Sequence, residues 1–261
     1  MRAALASGRL PRGLERAARG ALAGLWLGVL SDDELRALDE AYYDSEGVYR
    51  TADWNERGLF GWEHALVGEH FGGGGRVVVL GCGGGREVLA LVEAGFDAVG
   101  YEPHPALAAY ASDLLAAHGH PGRVHGAPRG ELPPDSPAAD GLIVGWGAYS
   151  LVRGRVARVR LLAGARERLR PGAPVLLSCF ETSRHGRELH ATLGIANALR
   201  RGRGRGPVEL GDTLAPNLVH VFTPAELAGE VAAAGLEPAD HRRVGEADPS
   251  VSYAALVARV P

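Results

Sequence analysis

Residues 77–88, VVVLGCGGGREV, are the most informative part of this chain about its fold class. Its first four residues, 77–80, predict a buried strand, and the helical pattern over 87–94 ends at Gly95. Between strand and helix the backbone runs through glycines, which leave its peptide amides unshielded. Because a helix N-terminus carries a partial positive charge, such a loop is typical of a site where a ligand lies directly against the backbone.

The composition is that of an ordinary globular protein, and it excludes several kinds of chemistry. The 261 residues suit one α/β domain with an added lobe or lid. A formal net charge of -3 predicts neither nucleic acid nor an anionic membrane as a partner. The 28 cationic residues are all arginine, so a P-loop lysine, a Schiff-base lysine and a lysine general base are excluded.

The cysteines and the apolar segments indicate a cytoplasmic location. Cys82 and Cys179 lie far apart in strand-like runs, which predicts neither a disulfide framework nor a thiolate zinc site. The apolar run at 21–30 is too short to span a bilayer. No small-residue cleavage pattern separates it from the acidic segment 31–40, so we expect a pair of N-terminal helices rather than a signal peptide.

Downstream of the glycine loop, apolar runs alternate with helical patterns. Strands are predicted at 77–80, 98–101, near 124, and at 141–146, 173–180, 236–243 and 251–259. The runs lack polar alternation, as strands covered on both faces do. A capped helix beginning at Thr223 precedes the last two strands. This order predicts an α/β fold with a doubly wound, mostly parallel seven-stranded sheet whose last strand is antiparallel.

Two segments lie outside this alternation. Residues 1–71 are predicted as an N-terminal helical and aromatic lid, and 72–261 as the ligand-binding domain. Within that domain the regular pattern lapses over 181–222, which is interpreted as an insertion. It contains the basic run RRGRGRGP, residues 200–207, either a solvated connection or an arginine clamp for an acidic substrate.

The spacing of the glycines distinguishes between two classes of ligand. The dinucleotide fingerprint G-x-G-x-x-G fails, because its third glycine would fall on Arg86 or Val88. The pattern that fits is G-x-G-x-G. Together with EAGFDAVGYEP (93–103) and LRPGAPVLLS (169–178), it resembles the class I S-adenosylmethionine-dependent methyltransferases, which are Rossmann-like, over about 75–180. The GCGxGRE variant is also similar to the thiopurine and halide methyltransferase branch.

The resemblance implies a cofactor, S-adenosyl-L-methionine, and a set of residues that bind it. The glycine loop implicates Gly81, Cys82, Gly83 and Gly85. Glu102, at the end of the second strand, would accept the ribose hydroxyl protons, with Pro103 beside it. Gly145 and Trp146, after the fourth strand, are also expected to contact the cofactor.

The chain departs from the family pattern at two positions. Val79 stands where many members have an acid, and Ala127 lies near the position of the usual adenine-reading aspartate. Glu87 or Glu131 could compensate, or a backbone carbonyl could accept the adenine amine.

The acceptor is expected beside the loop after the fourth strand, because ligands lie beyond the carboxyl ends of parallel strands. That loop carries Gly145, Trp146, Gly147 and Tyr149 instead of the Asn/Asp-Pro-Pro-Tyr motif of members that methylate DNA or protein amides. Trp146 and Tyr149 either border the sulfonium and a small organic acceptor or simply cap the sheet.

His220 is the first candidate for a general base, with Tyr149 as a second catalytic candidate. His185 and His190 are reserves, and their spacing argues against a metal pair. For each of these histidines the alternative is a purely structural role.

In the N-terminal segment, Tyr43, Arg50, Trp54 and Trp62 are candidates to close over the ligands. Arg50 is a candidate partner for the methionine carboxylate or for an acidic acceptor. The alternative is a packing segment with no ligand contact.

These observations predict methyl transfer from S-adenosylmethionine to an oxygen or nitrogen of a small-molecule acceptor, a specialised metabolite, in a bacterial cytoplasm and without a metal. The alternatives are methyl transfer to a thiol or halide, another reaction on the same cofactor such as cyclisation, or a non-catalytic regulatory module that binds it. The sequence allows a homodimer and does not decide the oligomeric state.

Overall fold

A computed structural model describes residues 12–134, 136–248 and 251–261. Nine strands are formed in these ranges: β1 Arg76–Leu80, β2 Asp97–Glu102, β3 Val124–Gly126, β4 Gly141–Val144, β5 Pro174–Glu181, β6 Asp212–Leu214, β7 Leu218–Phe222, β8 Glu237–Asp248 and β9 Val251–Arg259. The helices of the same ranges are α1 Arg12–Val29, α2 Asp32–Ser45, α3 Ala52–Asn55, α4 Gly61–His70, α5 Arg86–Glu93, α6 Pro105–Ala117, α7 Arg155–Arg166, α8 Arg187–Arg201 and α9 Pro224–Ala233. Two short 3₁₀ turns, Gly47–Arg50 and Ala148–Leu151, complete the elements.

Seven of the strands form the central sheet. β3, β2, β1, β4 and β5 pair in that order and are parallel, with Val78 opposite both Val99 and Leu142. β9 runs antiparallel to β5 along its whole length, and β8 is antiparallel to β9. The predicted doubly wound sheet with an antiparallel last strand is therefore confirmed.

The hairpin β6–β7 extends one end of this sheet. β7 pairs in parallel with β5 only at Phe180 and Glu181. Because β9 occupies one edge of β5 throughout, β7 takes the edge that β4 leaves free after Leu177. The hairpin and α8 lie within the segment 181–222, where the sequence analysis expected irregular structure; the helical pattern of α8 was missed.

Helices cover both faces of the sheet, as the non-alternating strands require. One core joins the sheet to α7 and α9 through Leu162, Leu227 and Val231. The opposite core joins it to α4, α5 and α6 through Leu66 and Leu115, among other residues. Each of these buried side chains contributes about 1.5–3 kcal/mol of transfer free energy, so the helices on both faces stabilise the sheet.

Local signals in the sequence fix several helix ends. Ser31 and Thr223 form the predicted capping boxes with Glu34 and Glu226, and Pro105 occupies the first turn of α6. These caps satisfy amides that lack partners within the helix. None of the helices in the described ranges combines the length and apolar character that crossing a bilayer requires.

The basic run at 200–207 contacts the C-terminal end of α1. Arg200 is buried and donates hydrogen bonds to the carbonyls of Leu27 (3.0 Å) and Leu30 (3.3 Å), and Arg205 donates to Val29. These carbonyls belong to the C-terminal turn of α1, which carries a partial negative charge. The arginine-clamp interpretation is wrong for Arg200 and Arg205, because their guanidinium groups donate hydrogen bonds to carbonyls at the end of α1.

Candidate active site

A cavity of about 1140 Å³ lies beyond the carboxyl ends of the parallel strands. Its wall is built from the glycine loop, the ends of β2, β4 and β5, the hairpin β6–β7, and helices α1, α2 and α8. Pockets for one drug-sized ligand usually measure about 300–1,000 Å³. The cavity therefore has room for two ligands side by side.

Gly81 and Gly83 lie on the cavity wall and have left-handed backbones, with φ of +66° and +55°. A Cβ atom at Gly83 would meet no atom within 4 Å, so its α-carbon faces open space. A Cβ at Gly81 would lie 2.8 Å from the Cβ of Ala148. Gly83 is thus the position where a ligand can approach the bare backbone most closely.

Glu102 closes the other side of this end of the cavity. Its Oε2 accepts a hydrogen bond from the Gly83 amide at 2.7 Å, and its Oε1 accepts one from the His104 amide at 2.9 Å. Burial raises the pKa of Glu102, and the two amide hydrogen bonds oppose that effect. Each oxygen keeps a lone pair for a further donor, so the carboxylate suits a pair of vicinal hydroxyls. Pro103 and Ala127 line the wall beside it.

Three predicted cofactor residues do not line the cavity, because they make close packing contacts instead. The Cys82 side chain is buried, and a Cβ at Gly100 would lie 2.7 Å from its sulfur. A Cβ at Gly85 would lie 2.9 Å from Leu115 of α6, and one at Gly145 would lie 2.4 Å from the Gly81 carbonyl oxygen. The glycines at 85 and 145 therefore allow backbone segments to approach one another.

Glu87 is also turned away from the cavity. Its Oε1 accepts hydrogen bonds from Arg86 (2.7 Å) and from the Trp146 amide (3.1 Å). Arg86 also pairs with Glu63 of α4, and all three charged side chains are buried. Glu87 therefore cannot compensate for the absent adenine-reading acid, whereas Glu131 does line the cavity.

Aromatic side chains form a continuous row along the cavity. Trp146 and Tyr253 have ring centroids 5.1 Å apart, and Tyr253 and Phe180 are 5.2 Å apart. Tyr43 and Tyr49 continue the wall on the side of α2, with centroids 5.8 Å apart. Burial raises the pKa of both Tyr43 and Tyr49, so their hydroxyls stay protonated at physiological pH.

The N-terminal segment contacts the glycine loop directly. A Cβ at Gly84 would lie 2.1 Å from the Tyr49 carbonyl oxygen and 2.5 Å from Oδ1 of Asn55. Of the predicted closing residues, Tyr43 lines the cavity. Trp54 packs behind the wall against Trp146. The Arg50 guanidinium donates to the carbonyl of Asp44 and lies outside the cavity wall.

One carboxylate joins three separate parts of the wall. Asp39 of α2 accepts hydrogen bonds from Arg129, in the loop after β3, and from Asn217, in the hairpin loop. Both donors line the cavity, and the Arg129 guanidinium also lies over the Tyr43 ring at 5.8 Å. Asp39 therefore latches α2 across the opening between the two loops.

Comparison with known proteins identifies the fold. The sequence matches no family model and no curated protein. A SAM-dependent methyltransferase from Methanosarcina mazei superimposes with a TM-score of 0.61 at 17% identity, over 77% of this chain and 98% of its own. The chain has the class I methyltransferase fold.

Two further structures with this fold are similar to the chain. The 1,6-didemethyltoxoflavin-N1-methyltransferase of Burkholderia thailandensis, solved with bound 1,6-didemethyltoxoflavin and S-adenosylhomocysteine, has a TM-score of 0.60 at 22% identity, over 88% of this chain and 91% of its own. The [4+2]-cyclase SpnF has a TM-score of 0.53 at 19% identity, over 77% of this chain and 81% of its own.

Within this class I methyltransferase fold, Tyr149 does not reach the site. The 3₁₀ turn that begins after Gly147 carries its side chain into the core, where it is fully buried. Its hydroxyl donates to Oε2 of Glu230 at 2.7 Å, and its ring stacks on Phe222. The predicted catalytic and substrate roles of Tyr149 are therefore corrected to a structural one.

His220 also faces away from the cavity. Successive side chains of a strand lie on opposite faces, and Val219 and Val221 are the ones on the wall. His220 lies between Asp212 (Nδ1 to Oδ1, 2.7 Å) and Glu226 (Nε2 to Oε1, 3.2 Å). Burial lowers its pKa, but the hydrogen bonds to Asp212 and Glu226 outweigh this effect and the pKa is raised. The prediction that His220 is the base is wrong.

The reserve histidines do not take its place. The His185 ring lies 2.9 Å from the Val221 carbonyl oxygen, and His190 is exposed on α8. Neither histidine lines the cavity.

Several wall residues escaped the sequence analysis. Phe180 had a signal, because it ends a parallel strand at the ligand edge. Tyr253 had none, since its place depends on the antiparallel pairing that sets it opposite Phe180. Leu22 and Trp26 of α1 were assigned to a helix with no ligand in view, and Asn217 lay in the presumed irregular insertion.

Proposed function

We propose that this protein transfers a methyl group from S-adenosylmethionine to an oxygen or nitrogen of a small, planar, largely apolar acceptor. One observation carries the proposal: a single cavity joins a carboxylate and a bare glycine backbone at one end to a row of aromatic rings at the other. Each end suits one of the two reactants, and the space between them is continuous.

The residues present fit the cofactor. Glu102 would accept hydrogen bonds from the ribose hydroxyls, and Gly83 leaves room for the ligand against its α-carbon. Pro103 and Ala127 would border the adenine, and Trp146 would border the sulfonium. When bound, the cofactor supplies an electrophilic methyl group.

The chain itself contributes positioning and exclusion of water. The aromatic row offers flat apolar surface, which binds planar molecules. Holding two reactants in line at near-attack distance removes about 7–11 kcal/mol of the barrier to a bimolecular reaction. Helices α1 and α2 and the Asp39 latch would enclose the pair as a lid.

Two structures with the same fold support a planar acceptor. The Burkholderia thailandensis enzyme was solved with 1,6-didemethyltoxoflavin. An O-methyltransferase family 2 protein from Planctomyces limnophilus was solved with apigenin. The apolar wall from Trp146 to Phe180 would accommodate a ring system of this kind.

Calorimetry with S-adenosylmethionine and S-adenosylhomocysteine tests the cofactor assignment. Both should bind, and Glu102→Ala should weaken both at least tenfold. Binding that is indifferent to this substitution would refute the assigned cofactor end.

Product analysis then tests the reaction. Incubation with labelled cofactor and a pool of aromatic alcohols and amines should yield S-adenosylhomocysteine and a labelled methylated product. SpnF shows that the fold also hosts a [4+2]-cyclase. Tight cofactor binding without any S-adenosylhomocysteine would therefore favour a reaction without methyl transfer, or a regulatory module.

A further inference from the structure

Helix α1 packs against α8 through three glycines. A Cβ atom at Gly20 would lie 2.5 Å from the Glu188 carbonyl oxygen, and one at Gly24 would lie 2.8 Å from the Thr192 carbonyl oxygen. A Cβ at Gly28 would lie 2.7 Å from Leu199. Because no side chain fits at these positions, the two helix backbones approach as closely as their own atoms allow.

Polar contacts hold this pair in register. The Thr192 hydroxyl donates to the Gly20 carbonyl at 2.9 Å. At the other end, Arg200 of α8 donates to the Leu27 and Leu30 carbonyls at the end of α1. We call α1 and α8 together the roof, because both border the same cavity.

The roof presents apolar side chains to the cavity. Leu22 and Trp26 of α1 line it, yet they are 56% and 48% exposed to solvent. Leu189 of α8 lines the same region. Large apolar side chains exposed beside a cavity are typical of a surface that a ligand covers. The aromatic row from Trp146 to Phe180 lines the same cavity.

We infer that the roof is the specificity-determining element of this protein, and that Leu22 and Trp26 select planar acceptors by the apolar area they cover. The inference deepens the proposed function and rests on it. The glycines hold α1 in close contact with α8, and the side chains at 22 and 26 decide which acceptors fit the part of the cavity that they line.

The helix itself supplies a matched control. Leu25 is 45% exposed on α1 and does not line the cavity, whereas Leu22 does. Leu22→Ala and Leu25→Ala remove the same atoms from the same exposed helix, and neither disturbs the glycine contacts. The probes are 2-naphthol, with two fused rings, and 1-hydroxypyrene, with four, titrated by calorimetry with and without S-adenosylhomocysteine.

The wild-type protein should bind both probes. Leu22→Ala and Trp26→Ala should lower the affinity for 1-hydroxypyrene about five- to twentyfold and the affinity for 2-naphthol by less. Leu25→Ala should bind both probes with affinities within twofold of wild type. S-adenosylhomocysteine binding should be unchanged in all three variants. Equal losses for Leu22→Ala and Leu25→Ala, or no binding of either probe to wild type, would overturn the inference.

The same experiment distinguishes failure of the proposed function from failure of this inference. Probe binding that follows this pattern in a protein with no affinity for S-adenosylhomocysteine would leave the roof as a selective aromatic site and remove the methyl transfer assigned to it.

Discussion

The amide of Gly83 donates a 2.7 Å hydrogen bond to Oε2 of Glu102, and this contact joins the ends of two neighbouring parallel strands. Gly83 follows β1 and Glu102 ends β2, so the hydrogen bond fixes the glycine loop against the carboxylate before any ligand arrives. A preorganised site of this kind spends little binding energy on ordering itself. Substitutions of Gly83 and of Glu102 test the two sides of this contact separately.

Substitution of Gly83 by alanine should impair cofactor binding. The residue has φ of +55°, and its Cβ would project into the open cavity. Gly95 also has a positive φ, +90°, and a Cβ added there would meet no atom within 4 Å. Gly95 lies outside the cavity wall and therefore serves as the control. Both variants should lose about 1–2 kcal/mol of stability from backbone strain, whereas only Gly83→Ala should weaken S-adenosylhomocysteine binding, at least tenfold by calorimetry. Equal affinities would show that the ligand does not approach Gly83.

The affinity for S-adenosylmethionine should depend on pH through Glu102. Burial raises the pKa of this carboxyl above its ordinary 4.5. The ionised form accepts the ribose hydroxyl protons, so affinity should fall as the pH drops through that raised pKa. Glu102→Gln should bind about ten- to a hundredfold more weakly at pH 7.5, from the loss of a charge-assisted interaction of about 1.5–3 kcal/mol. It should also lack the pH dependence. If affinity changed with pH in the same way in the wild-type protein and in Glu102→Gln, Glu102 would not be the residue that binds the ribose.

Arg86 should be essential to stability. It lies between Glu63 and Glu87, and its substitution by glutamine would leave two buried carboxylates without a counter-ion. Loss of one partner of a buried pair costs about 3–5 kcal/mol. The control is Arg76→Gln, which breaks the exposed pair with Asp97 and should cost less than about 1 kcal/mol. Urea unfolding measures the stability of both variants. Similar unfolding midpoints for Arg86→Gln and Arg76→Gln would show that Arg86 and its two carboxylates do not form a buried ionic cluster.

The stability of the fold should decline above neutral pH because of His220. Its pKa is raised above the ordinary 6.5. Protonation therefore stabilises the folded state; the contribution is complete below about 6.5 and is lost as the pH rises through the folded-state pKa. The pKa of its partner Glu226 is lowered: burial raises it, but the hydrogen bond and charge of His220, together with the Thr223 amide, outweigh burial. That contribution is present above 4.5 and is lost as the pH falls through the lowered pKa.

Thermal unfolding from pH 5 to 9 measures this dependence. His220→Gln should flatten the alkaline decline in Tm, and His190→Gln, at an exposed position, should not. An unchanged alkaline decline in His220→Gln would rule out His220 as its origin.

Removal of the latch should loosen the cofactor site without unfolding the protein. Asp39→Ala would free Arg129 and Asn217, each hydrogen bond to this carboxylate contributing about 1.5–3 kcal/mol. S-adenosylhomocysteine should bind about three- to tenfold more weakly. Asp33→Ala, which removes an exposed carboxylate of the same helix, should leave affinity unchanged. Calorimetry at matched pH distinguishes the two, and equal affinities would mean that α2 does not close the site.

Short-range signals in the sequence predicted much of the fold and one end of the site. The apolar run before Gly81, the capping boxes at Ser31 and Thr223, and Pro105 each depend on neighbours within a few residues. They placed strands and helices in the right order, and the order determined the sheet. Gly83 and Glu102 could be placed together because parallel strands bring their carboxyl ends to one edge.

The aromatic end of the cavity, which we propose binds the acceptor, depends on contacts between distant segments. Tyr253 lies on the wall because β9 pairs antiparallel with β5, and Leu22 lies there because α8 folds against α1. Tyr149 and His220 have suitable chemistry for catalysis, but a 3₁₀ turn and the pleat of β7 direct their side chains into the core. Local signals in the sequence therefore specified most of the strands and helices and the glycine loop whose backbone is open to a ligand, although α8 and the hairpin β6–β7 were missed. Strand pairing and helix packing across the whole chain decided which side chains line the cavity beside that loop, because these long-range contacts set the direction of each side chain.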